Sequence, residues 1–368
     1  MACDFSLQTH QGIRDLQPYQ PGKPAEEVER ELGLSHTIKL ASNENPFGIS
    51  PSVKKVLQTA LDCAELYPDA SGYRLKHALA SKFSLSVDRI TLGNGSNELL
   101  DMIARVFVTA GDEVIYSQYG FLAYPIITQS LNAKKVEVPA NDWGHDLPAM
   151  LTKVTDKTKL VFLANPNNPT GTYFSCAELT SFLNQLPPHV IVVLDEAYTE
   201  YVQLDDFPNG LKLVDQYPNL VVTRSFSKAY ALAGLRVGYA YANEQITDLL
   251  NRVRQAFNVN ALALAGAEVA LFDDAALVKA VDNNAMQLQR VCEGLNNLGI
   301  DTIPSIGNFI TFVCPDNDGL GLYNRLLVRG VIVRPLANYD MAHCLRVSIG
   351  TPEQNSMFLK VLSEELGS

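Results

Sequence analysis

The sequence predicts an α/β protein in which a large domain contains a mainly parallel sheet and a smaller α/β domain follows it. Short runs rich in Val, Ile and Leu alternate with helical patterns between about residues 51 and 245, as is typical of parallel strands covered by helices on both faces. Longer helical stretches follow, and the last part of the chain returns to strand-like runs. With 368 residues, the chain is also long enough for two units.

Residues 1–45 are predicted to form an N-terminal arm rather than a domain. Prolines interrupt any regular pattern in LQPYQPGKP and LASNENPFG, so this segment is expected to pack on other parts of the molecule and on a partner subunit. Residues 46–262 are predicted to form the large domain, and residues 263–368 the small domain.

The elements of the two domains follow from periodicity and boundary residues. SPSVKKVLQTALDCA has a serine cap before helical spacing, and DRITLGNGSNELLDMIARVF indicates a strand, a glycine turn and a helix. Five further runs predict strands: DEVIYS, KKVEVP, TKLVFLAN, VIVVLDE and NLVVTRS. After residue 245, helices are predicted at NEQITDLLNRVRQAF, ALALAGAEVALF and AMQLQRVCEGLNNLG, and strands at SIGNFITFVC, GVIVRP and CLRVSIG.

Composition and charge exclude several classes of protein. Hydrophobic residues make up 47% and charged residues 19%, which argues against disordered, collagen-like and coiled-coil chains. The net charge of −11 provides no overall basic field for nucleic acid or an anionic membrane, although a local arginine pocket can still bind a small anion. The chain has no apolar run of membrane-spanning length and no signal-peptide pattern, so a cytoplasmic protein is expected.

The cysteines are widely spaced and include no C-x-x-C pair. This usage argues against a disulfide framework and against a structural metal site. We expect reduced thiols, most of them buried. The six residues are Cys3, Cys63, Cys176, Cys292, Cys314 and Cys344.

The apolar run in VIVVLDEAYTEY ends at a carboxylate. Asp195 closes the predicted strand and Tyr198 follows three residues later. In an open α/β sheet, ligands bind at the carboxyl ends of the strands. Asp195 is therefore a candidate partner for a protonated ring nitrogen in a cofactor, although it could equally cap the following turn.

A glycine-rich turn separates a strand from a helix in LGNGSNELL. Gly93, Gly95, Ser96 and Asn97 would offer backbone N–H groups and a positive helix end to a phosphate. Strand-to-helix turns are often glycine-rich for structural reasons alone. Taken by itself, this motif therefore leaves both interpretations open.

Two X-Pro steps follow a predicted strand in ANPNNPTGTYF. Asn167 and Asn168 precede Thr170 and Gly171. So much fixed backbone at the carboxyl end of a strand indicates a site that holds an amide in place, with a plain turn as the alternative.

The stretch RSFSKAYALAGLRVGY surrounds one lysine with hydroxyl groups and arginines. Ser225, Ser227 and Arg236 are suited to bind a phosphate, and Lys228 lies among them. A lysine desolvated near other cations becomes a nucleophile, whereas most loop lysines are simply solvated. The functional interpretation is favoured by the joint occurrence, in order along the chain, of the glycine turn, N-P-T-G, the strand-end Asp195 and the hydroxyl-flanked Lys228.

Together these motifs resemble the class-II pyridoxal-phosphate-dependent aminotransferases of fold type I, over nearly the whole chain from LASNENPFG to RVSIGT. Within that family they are most similar to the branch that acts on histidinol phosphate, through further matches such as YPD, QYGF and DEAYTEY. The resemblance implies a seven-stranded sheet in the large domain and pyridoxal 5′-phosphate as the cofactor.

The resemblance also implies roles around the cofactor ring. Lys228 would form the Schiff base with the cofactor and then move the proton of the substrate α-carbon. Asp195 would keep the pyridine nitrogen protonated. Tyr198 and Asn168 would hydrogen-bond the 3-hydroxyl oxygen, and Tyr119 of QYGF would stack on the ring. The Asn168–Pro169 bond is expected to be cis.

Around the cofactor phosphate, the resemblance implies one set of residues from the chain itself and one residue from a second subunit. Tyr67 of YPD would come from that subunit, which implies a homodimer with its sites at the interface. The chain's own residues would be Gly95, Ser96, Asn97, Ser225, Ser227 and Arg236.

The residues implied for the substrate are Arg346 of CLRVSIGT, Arg334 of GVIVRP, Asn43 of LASNENPFG, and Tyr19 of LQPYQPGKP. Arg346 matches the arginine that binds the substrate's anionic group. Tyr19 would reach across from the partner subunit. For Arg334, a surface salt bridge is the alternative.

The implied reaction is transamination between histidinol phosphate and 2-oxoglutarate in histidine synthesis, giving imidazole-acetol phosphate and glutamate. Two other enzymes share the same motifs: an aromatic amino-acid aminotransferase and a threonine-phosphate decarboxylase. A cofactor-binding regulator would need a basic DNA-binding segment, which this acidic chain lacks.

Overall fold

A computed structural model describes residues 3–19 and 22–367, so Gln20 and Pro21 of the motif LQPYQPGKP lie outside the described residues. The strands are β1 (Ile38–Lys39), β2 (Ile90–Gly93), β3 (Glu113–Ser117), β4 (Lys134–Val138), β5 (Thr158–Ala164), β6 (Ile191–Asp195), β7 (Leu220–Ser225), β8 (Gly238–Tyr241), β9 (Thr302–Ile303), β10 (Phe309–Val313), β11 (Val331–Ile332), β12 (Arg334–Leu336) and β13 (Met341–Ser348).

The helices alternate with the strands of the large sheet, as the sequence predicts. They are α1 (Gln11–Arg14), α2 (Ala25–Leu32), α3 (Pro51–Leu61), α4 (Tyr73–Phe83), α5 (Ser96–Phe107), α6 (Ala123–Ser130), α7 (Leu147–Thr152), α8 (Cys176–Gln185), α9 (Gly210–Leu213), α10 (Glu244–Val253), α11 (Ala261–Leu271), α12 (Asp274–Asn297), α13 (Gly319–Val328) and α14 (Pro352–Leu366).

The large sheet has seven strands in the order β2-β8-β7-β6-β5-β3-β4. Strand β8 runs antiparallel to both neighbours, and the remaining pairs are parallel. The predicted α/β fold with a mainly parallel seven-stranded sheet is confirmed. Strand β8, with the sequence GYAY, is an addition, because four residues without a β-branched side chain give little signal.

The core of the large unit lies on both faces of this sheet. Along β5, Val161 and Leu163 belong to the apolar cluster on one face, whereas Leu160 and Phe162 belong to the cluster on the other. Alternate side chains of a strand point to opposite faces, and here both faces are buried. This explains why the sequence shows continuous apolar runs instead of alternation.

The C-terminal part forms a second sheet in the order β12-β13-β10-β9, with antiparallel neighbours. The arm joins this part of the molecule, because β1 pairs in parallel with β11. Ile38 and Leu40 of the arm are buried in the same cluster as Phe312 and Phe358. Residues before 46 therefore belong to the same hydrophobic core as residues after 290.

The domain limits at 45/46 and 262/263 stay a prediction. Helix α11 crosses the second limit, and its Ala263 and Ala267 are buried in the core of the large sheet. Helix α12 then runs for 24 residues before the strands of the smaller sheet begin.

Two expectations need correction. The arm contains helices α1 and α2, whereas the sequence suggested loops, because prolines such as Pro24 sit just before a helix and do not break it. Among the cysteines, only Cys314 and Cys344 are buried; Cys3 and Cys63 are exposed. Cys63 follows the end of α3, where the chain runs over the surface.

No helix of the described residues is long and apolar enough to cross a membrane.

Candidate active site

Most of the predicted site residues meet in one cavity of about 350 Å³ at the carboxyl ends of β5, β6 and β7. Its walls come from the large sheet, the arm and the smaller sheet. Thirteen of the residues singled out in the sequence line it: Tyr19, Asn43, Ser96, Asn97, Asn168, Asp195, Tyr198, Ser225, Ser227, Lys228, Arg236, Arg334 and Arg346.

Lys228 follows β7 and points its amine into this cavity. Lys228 Nζ donates to the carbonyl oxygen of Ser42 at 3.1 Å and lies 5.4 Å from the centre of the Tyr198 ring. Burial, together with the positive charges of Arg346 and Arg236, lowers the pKa of Lys228 to about 8, although Glu44 and Asp195 oppose this change. A neutral amine is thus accessible close to physiological pH, as a nucleophile or a proton acceptor requires.

This pKa predicts a pH-dependent reactivity of the cofactor-free protein. The neutral fraction of the Lys228 amine should rise about tenfold per pH unit below pH 8 and level off above it. Competitive labelling with acetic anhydride, followed by mass spectrometry of the Lys228 peptide, should therefore give a midpoint near pH 8. In Arg346→Gln the midpoint should move upward, because a nearby positive charge is lost. A midpoint above pH 10 would contradict the assignment.

Asp195 ends β6 with a buried carboxylate. Tyr124 Oη donates to its Oδ2 at 3.1 Å, and Thr223 Oγ1 donates to its Oδ1 at 3.3 Å. Burial raises the pKa of Asp195 to about 6, and these hydrogen bonds oppose the rise. The carboxylate remains mostly ionised at pH 7. Tyr124 and Thr223 could not be predicted from the sequence, since no local pattern connects them to Asp195.

A buried ion pair lies immediately next to these groups in the chain. Arg224 Nη2 is 2.7 Å from Glu196 Oε2, and Glu196 Oε1 accepts from Gly210 N at 2.8 Å. Glu196 follows Asp195, and Arg224 precedes Ser225. The pair therefore ties the carboxyl ends of β6 and β7 together, on the side opposite to the cavity-lining side chains.

An anion site lies where α5 begins. Gly95 is the residue before α5 and has a φ of 81°, which favours glycine. An added Cβ there would lie 2.3 Å from Arg236 Nη2, so a side chain would collide with the guanidinium. Arg236 Nη1 donates to Ser227 Oγ at 3.4 Å. First-turn N–H groups of a 12-residue helix, hydroxyls and an arginine form the donor set that binds a phosphate.

Tyr198, Asn168 and Asn43 are linked to the smaller sheet by hydrogen bonds. Asn43 Nδ2 donates to Tyr198 Oη at 3.0 Å, and Arg346 Nη1 donates to Asn168 Oδ1. Both polar atoms of the Asn43 carboxamide bond to protein groups, because its Oδ1 accepts from Ser348 Oγ. The predicted cis bond at Asn168–Pro169 is confirmed, and Asn165–Pro166 is cis as well.

The opposite part of the cavity carries Arg334 and Arg346, both buried. Arg346 Nη2 donates to the carbonyl oxygen of Ala41 at 2.9 Å, whereas its Nε is buried without a hydrogen-bond partner. The Arg334 guanidinium lies 5.8 Å from the centre of the Tyr19 ring. Tyr19 lines the cavity of its own chain, and its predicted contact across from a partner subunit stays a prediction.

Tyr119, which was predicted to stack on the cofactor ring, does not line this cavity. Tyr67 does not line it either, and its predicted place in a partner's site stays a prediction. Tyr119 packs on Trp143, with ring centres 5.4 Å apart, and Phe121 of the same QYGF motif lines the cavity instead. Tyr67 is 82% exposed and stacks on Phe257 at 4.6 Å, outside this cavity. For the QYGF motif, the sequence predicted an aromatic side chain at the site, but not that this side chain is Phe121 instead of Tyr119.

Further residues that line the cavity were not predicted from the sequence. Lys39 and Glu44 line the cavity and form an ion pair, with Nζ 2.8 Å from Oε1. Tyr339, from the turn between β12 and β13, also lines it. Glu44 belongs to LASNENPFG, so its motif was the available signal, whereas Tyr339 is brought in only by the fold. The described residues contain no group of three His, Cys, Asp or Glu side chains placed to hold a metal ion.

The donor set fits pyridoxal 5′-phosphate. The cofactor needs an anion site, an amine for its aldehyde and a carboxylate for its ring nitrogen. The α5 terminus with Arg236, the Lys228 amine and the Asp195 carboxylate supply these three groups in one cavity large enough for a small molecule. The fold and this site define a pyridoxal-phosphate-dependent transferase of fold type I.

Comparison with known proteins identifies the family. Residues 35–362 match the family model described as aminotransferase class I and II, and the chain belongs to this family. It is 54% identical to histidinol-phosphate aminotransferase 1 of Mannheimia succiniciproducens, over 97% of this chain and 98% of that one. It is 53% identical to histidinol-phosphate aminotransferase 1 of Idiomarina loihiensis, over 97% of both chains.

A solved structure supports the same fold. The histidinol-phosphate aminotransferase of Sinorhizobium meliloti, crystallised with pyridoxal-5′-phosphate, superposes with a TM-score of 0.90 at 30% identity, over 98% of each chain. Family membership and this neighbour confirm the predicted cofactor class for the chain.

Proposed function

We propose that this protein transfers the amino group of L-histidinol phosphate to 2-oxoglutarate, giving imidazole-acetol phosphate and L-glutamate, in histidine biosynthesis. One observation carries the proposal. The cavity joins a lysine amine of lowered pKa to two separate anion sites: Arg236 with the α5 terminus, and Arg334 with Arg346. One site suits the cofactor phosphate, and the other suits the anionic end of a substrate. The names of the closely similar relatives support this substrate.

In the proposed reaction, bound pyridoxal phosphate supplies an electron sink for the substrate α-carbon. Lys228 Nζ would take the proton from that carbon and deliver it to the C4′ carbon of the cofactor in the same half-reaction. In the second half it would move a proton in the opposite direction, from C4′ to the α-carbon of the new amino acid. Its pKa of about 8 allows both steps near neutral pH. Asp195 would hold a positive charge on the ring nitrogen of the cofactor, and the burial of this carboxylate excludes competing water.

Substrate binding is assigned to the two arginines. The unpartnered Nε of Arg346 is a buried donor, and such a donor gains most from an incoming anionic oxygen. Arg334 adds a second positive charge beside the Tyr19 ring. A phosphate dianion in histidinol phosphate and a carboxylate in glutamate can use the same pair in turn.

Replacement of Arg334 should separate these two substrates. Arg334→Gln is expected to lower kcat/KM for histidinol phosphate by about 100-fold, because a buried charge partner of the dianion is lost. The loss for glutamate should be smaller, since a carboxylate carries less charge. Steady-state kinetics with each donor measures both values. Arg329→Gln, which breaks a surface ion pair with Glu364 and Glu365, is the matched control and should change neither.

The substrate assignment is tested by comparing histidinol phosphate with phenylalanine in the same assay. A larger kcat/KM for phenylalanine would reject it and favour an aromatic amino-acid aminotransferase. Release of carbon dioxide from threonine phosphate would instead indicate the decarboxylase. Neither alternative is favoured by the relatives, which are named for histidinol phosphate.

A cytoplasmic homodimer completes the proposal. Tyr67 is exposed and does not line the cavity of its own chain, so we assign its implied contact with the cofactor phosphate to the site of a partner subunit. Its ring stacks on that of Phe257, which is also exposed, and exposed apolar contacts of this kind mark association surfaces. Leu61, Leu66 and Tyr73, near Tyr67 in the chain, are exposed as well. Sedimentation should show a dimer. Tyr67→Phe should weaken the affinity for the cofactor while the protein remains a dimer. A monomer with full cofactor affinity would reject this part.

A further inference from the structure

The hydroxyl of Ser348 begins a short buried chain of hydrogen bonds that ends at Tyr198. Ser348 Oγ donates to Asn43 Oδ1 at 3.0 Å and accepts from the Asn43 backbone N–H at 2.8 Å. Asn43 Nδ2 then donates to Tyr198 Oη at 3.0 Å. Ser348 is 3% exposed and Asn43 is 1% exposed. Buried polar groups such as these must bond within the protein.

The direction of these bonds follows from the single hydrogen that a serine hydroxyl can donate. The Ser348 oxygen already accepts from Asn43 N, and its hydrogen goes to Asn43 Oδ1. Turning the amide over would place N–H groups against Ser348 and would remove this acceptor, which is unfavourable in a buried place. The amide nitrogen of Asn43 therefore faces Tyr198.

Because Tyr198 Oη receives a hydrogen bond, its own hydrogen can go to another acceptor. Tyr198 lines the cavity together with Lys228 and Asp195. Burial raises the pKa of the Tyr198 hydroxyl, outweighing the opposing effects of Arg346 and Asn43. The hydroxyl thus keeps its hydrogen at neutral pH and is a donor.

We propose that Ser348 is a positioning residue which, through Asn43, makes Tyr198 donate its hydroxyl hydrogen into the cavity, toward the ring oxygen of the bound cofactor. The inference rests on the proposed function, since that oxygen belongs to pyridoxal phosphate. Ser348 and Arg346 are two residues apart on β13, so their side chains share one face of the strand. A single strand of the smaller sheet thereby carries a substrate-binding arginine and the group that orients Tyr198.

The backbone conformation of Asn43 allows a substitution that interrupts the hydrogen-bond relay from Ser348 through Asn43 to Tyr198. Asn43 has a φ of 56°, in the left-handed region that Asn adopts more readily than most residues and Gly adopts without strain. Asn43→Gly therefore removes the carboxamide while the local chain conformation stays accessible. Ser348→Thr keeps the hydroxyl, whereas Ser348→Ala removes it.

The test is a pH titration of the visible absorbance of the cofactor-bound protein. A hydrogen bond donated to the ring oxygen stabilises negative charge there, so losing it strengthens proton binding by the cofactor. Ser348→Ala should raise the titration midpoint by about one pH unit, a tenfold change in proton affinity. Asn43→Gly should raise the midpoint by the same amount, and it keeps the test possible if Ser348→Ala fails to fold. Ser348→Thr, which keeps the hydroxyl, should retain the midpoint of the wild type.

A double-mutant cycle decides whether the effect passes through Tyr198. In a Tyr198→Phe background, Ser348→Ala should produce no further rise, because the hydroxyl that it orients is gone. An equal rise in both backgrounds would overturn the proposal, as would unchanged midpoints in Ser348→Ala and Asn43→Gly. Thr247→Val removes another buried hydroxyl, which donates to the carbonyl oxygen of Arg89 on the far side of the large unit, and should leave the midpoint unchanged.

Failure of this relay and failure of the proposed function give different results. If the protein does not use histidinol phosphate, the wild type will not turn it over, whatever the titration shows. If only the relay is wrong, the wild type will turn over histidinol phosphate and the midpoint will not respond to Ser348.

Discussion

Lys228→Ala is expected to lower kcat for histidinol phosphate by about 10⁴-fold, the upper end of the contribution of a general acid–base group. The variant keeps both anion sites, so it should still bind pyridoxal phosphate, although without a covalent bond. Its visible absorbance should therefore be that of the free aldehyde. Stopped-flow and steady-state assays measure the rate, and absorbance spectra report the bond. The reason is local: the Lys228 amine points into the cavity with its pKa lowered to about 8.

Lys360→Ala is the matched control, since Lys360 is exposed on α14 and pairs only with Glu364 along the helix. It should retain full activity. Added small amines should partly restore turnover of Lys228→Ala, because the cavity left by the side chain admits them. Retention of both the covalent spectrum and the activity in Lys228→Ala would refute the role of this lysine.

Asp195→Asn is expected to lower kcat by about 10²- to 10³-fold, the usual loss when one electrostatic group is removed from an active site. The amide oxygen can still accept from Tyr124 or Thr223, so the side chain should stay in place. What it loses is the negative charge that would hold a proton on the cofactor ring nitrogen. Activity should therefore fall far more than cofactor affinity.

The same substitution should not destabilise the cofactor-free protein at pH 7. Burial raises the pKa of Asp195 from 3.8 to about 6. The charged carboxylate therefore lowers the free energy of unfolding, an effect that is absent below pH 3.8 and fully present above pH 6. Asp195→Asn removes that effect and should leave Tm unchanged or higher at pH 7, with a smaller change at pH 4. Asp248→Asn, in an exposed helical pair, is the control. Lost activity together with a strongly lowered Tm would indicate a structural role instead.

The fold could be predicted from the sequence wherever strands are buried on both faces. The runs that became β3, β5, β6 and β7 are continuous and apolar, so their type and place were determined locally. Strand β8 was not predictable, since it gains its stability from pairing with β2 and β7 and not from its own residues. Strand β1 of the arm was not predictable for a related reason, because its two residues form a strand by pairing with β11.

The residues of the candidate site likewise fall into those that the local sequence predicts and those that only the fold brings together. The sequence by itself determined the groups that are close in the chain: Ser225, Ser227, Lys228 and Arg236 after one strand, and Asp195 at the end of another. Their proximity follows from covalent neighbourhood and from the rule that parallel strands end at one edge of the sheet.

Only the tertiary structure decided which distant residues orient these groups. Ser348 and Asn43 are 305 residues apart, and Tyr124 lies 71 residues from Asp195, yet each pair shares a hydrogen bond. It also decided that Phe121 and not Tyr119 lines the cavity, and that Tyr19 does so in its own chain. Hydrogen bonds act over about 3 Å in space, whatever the separation along the chain, so no local pattern could record them.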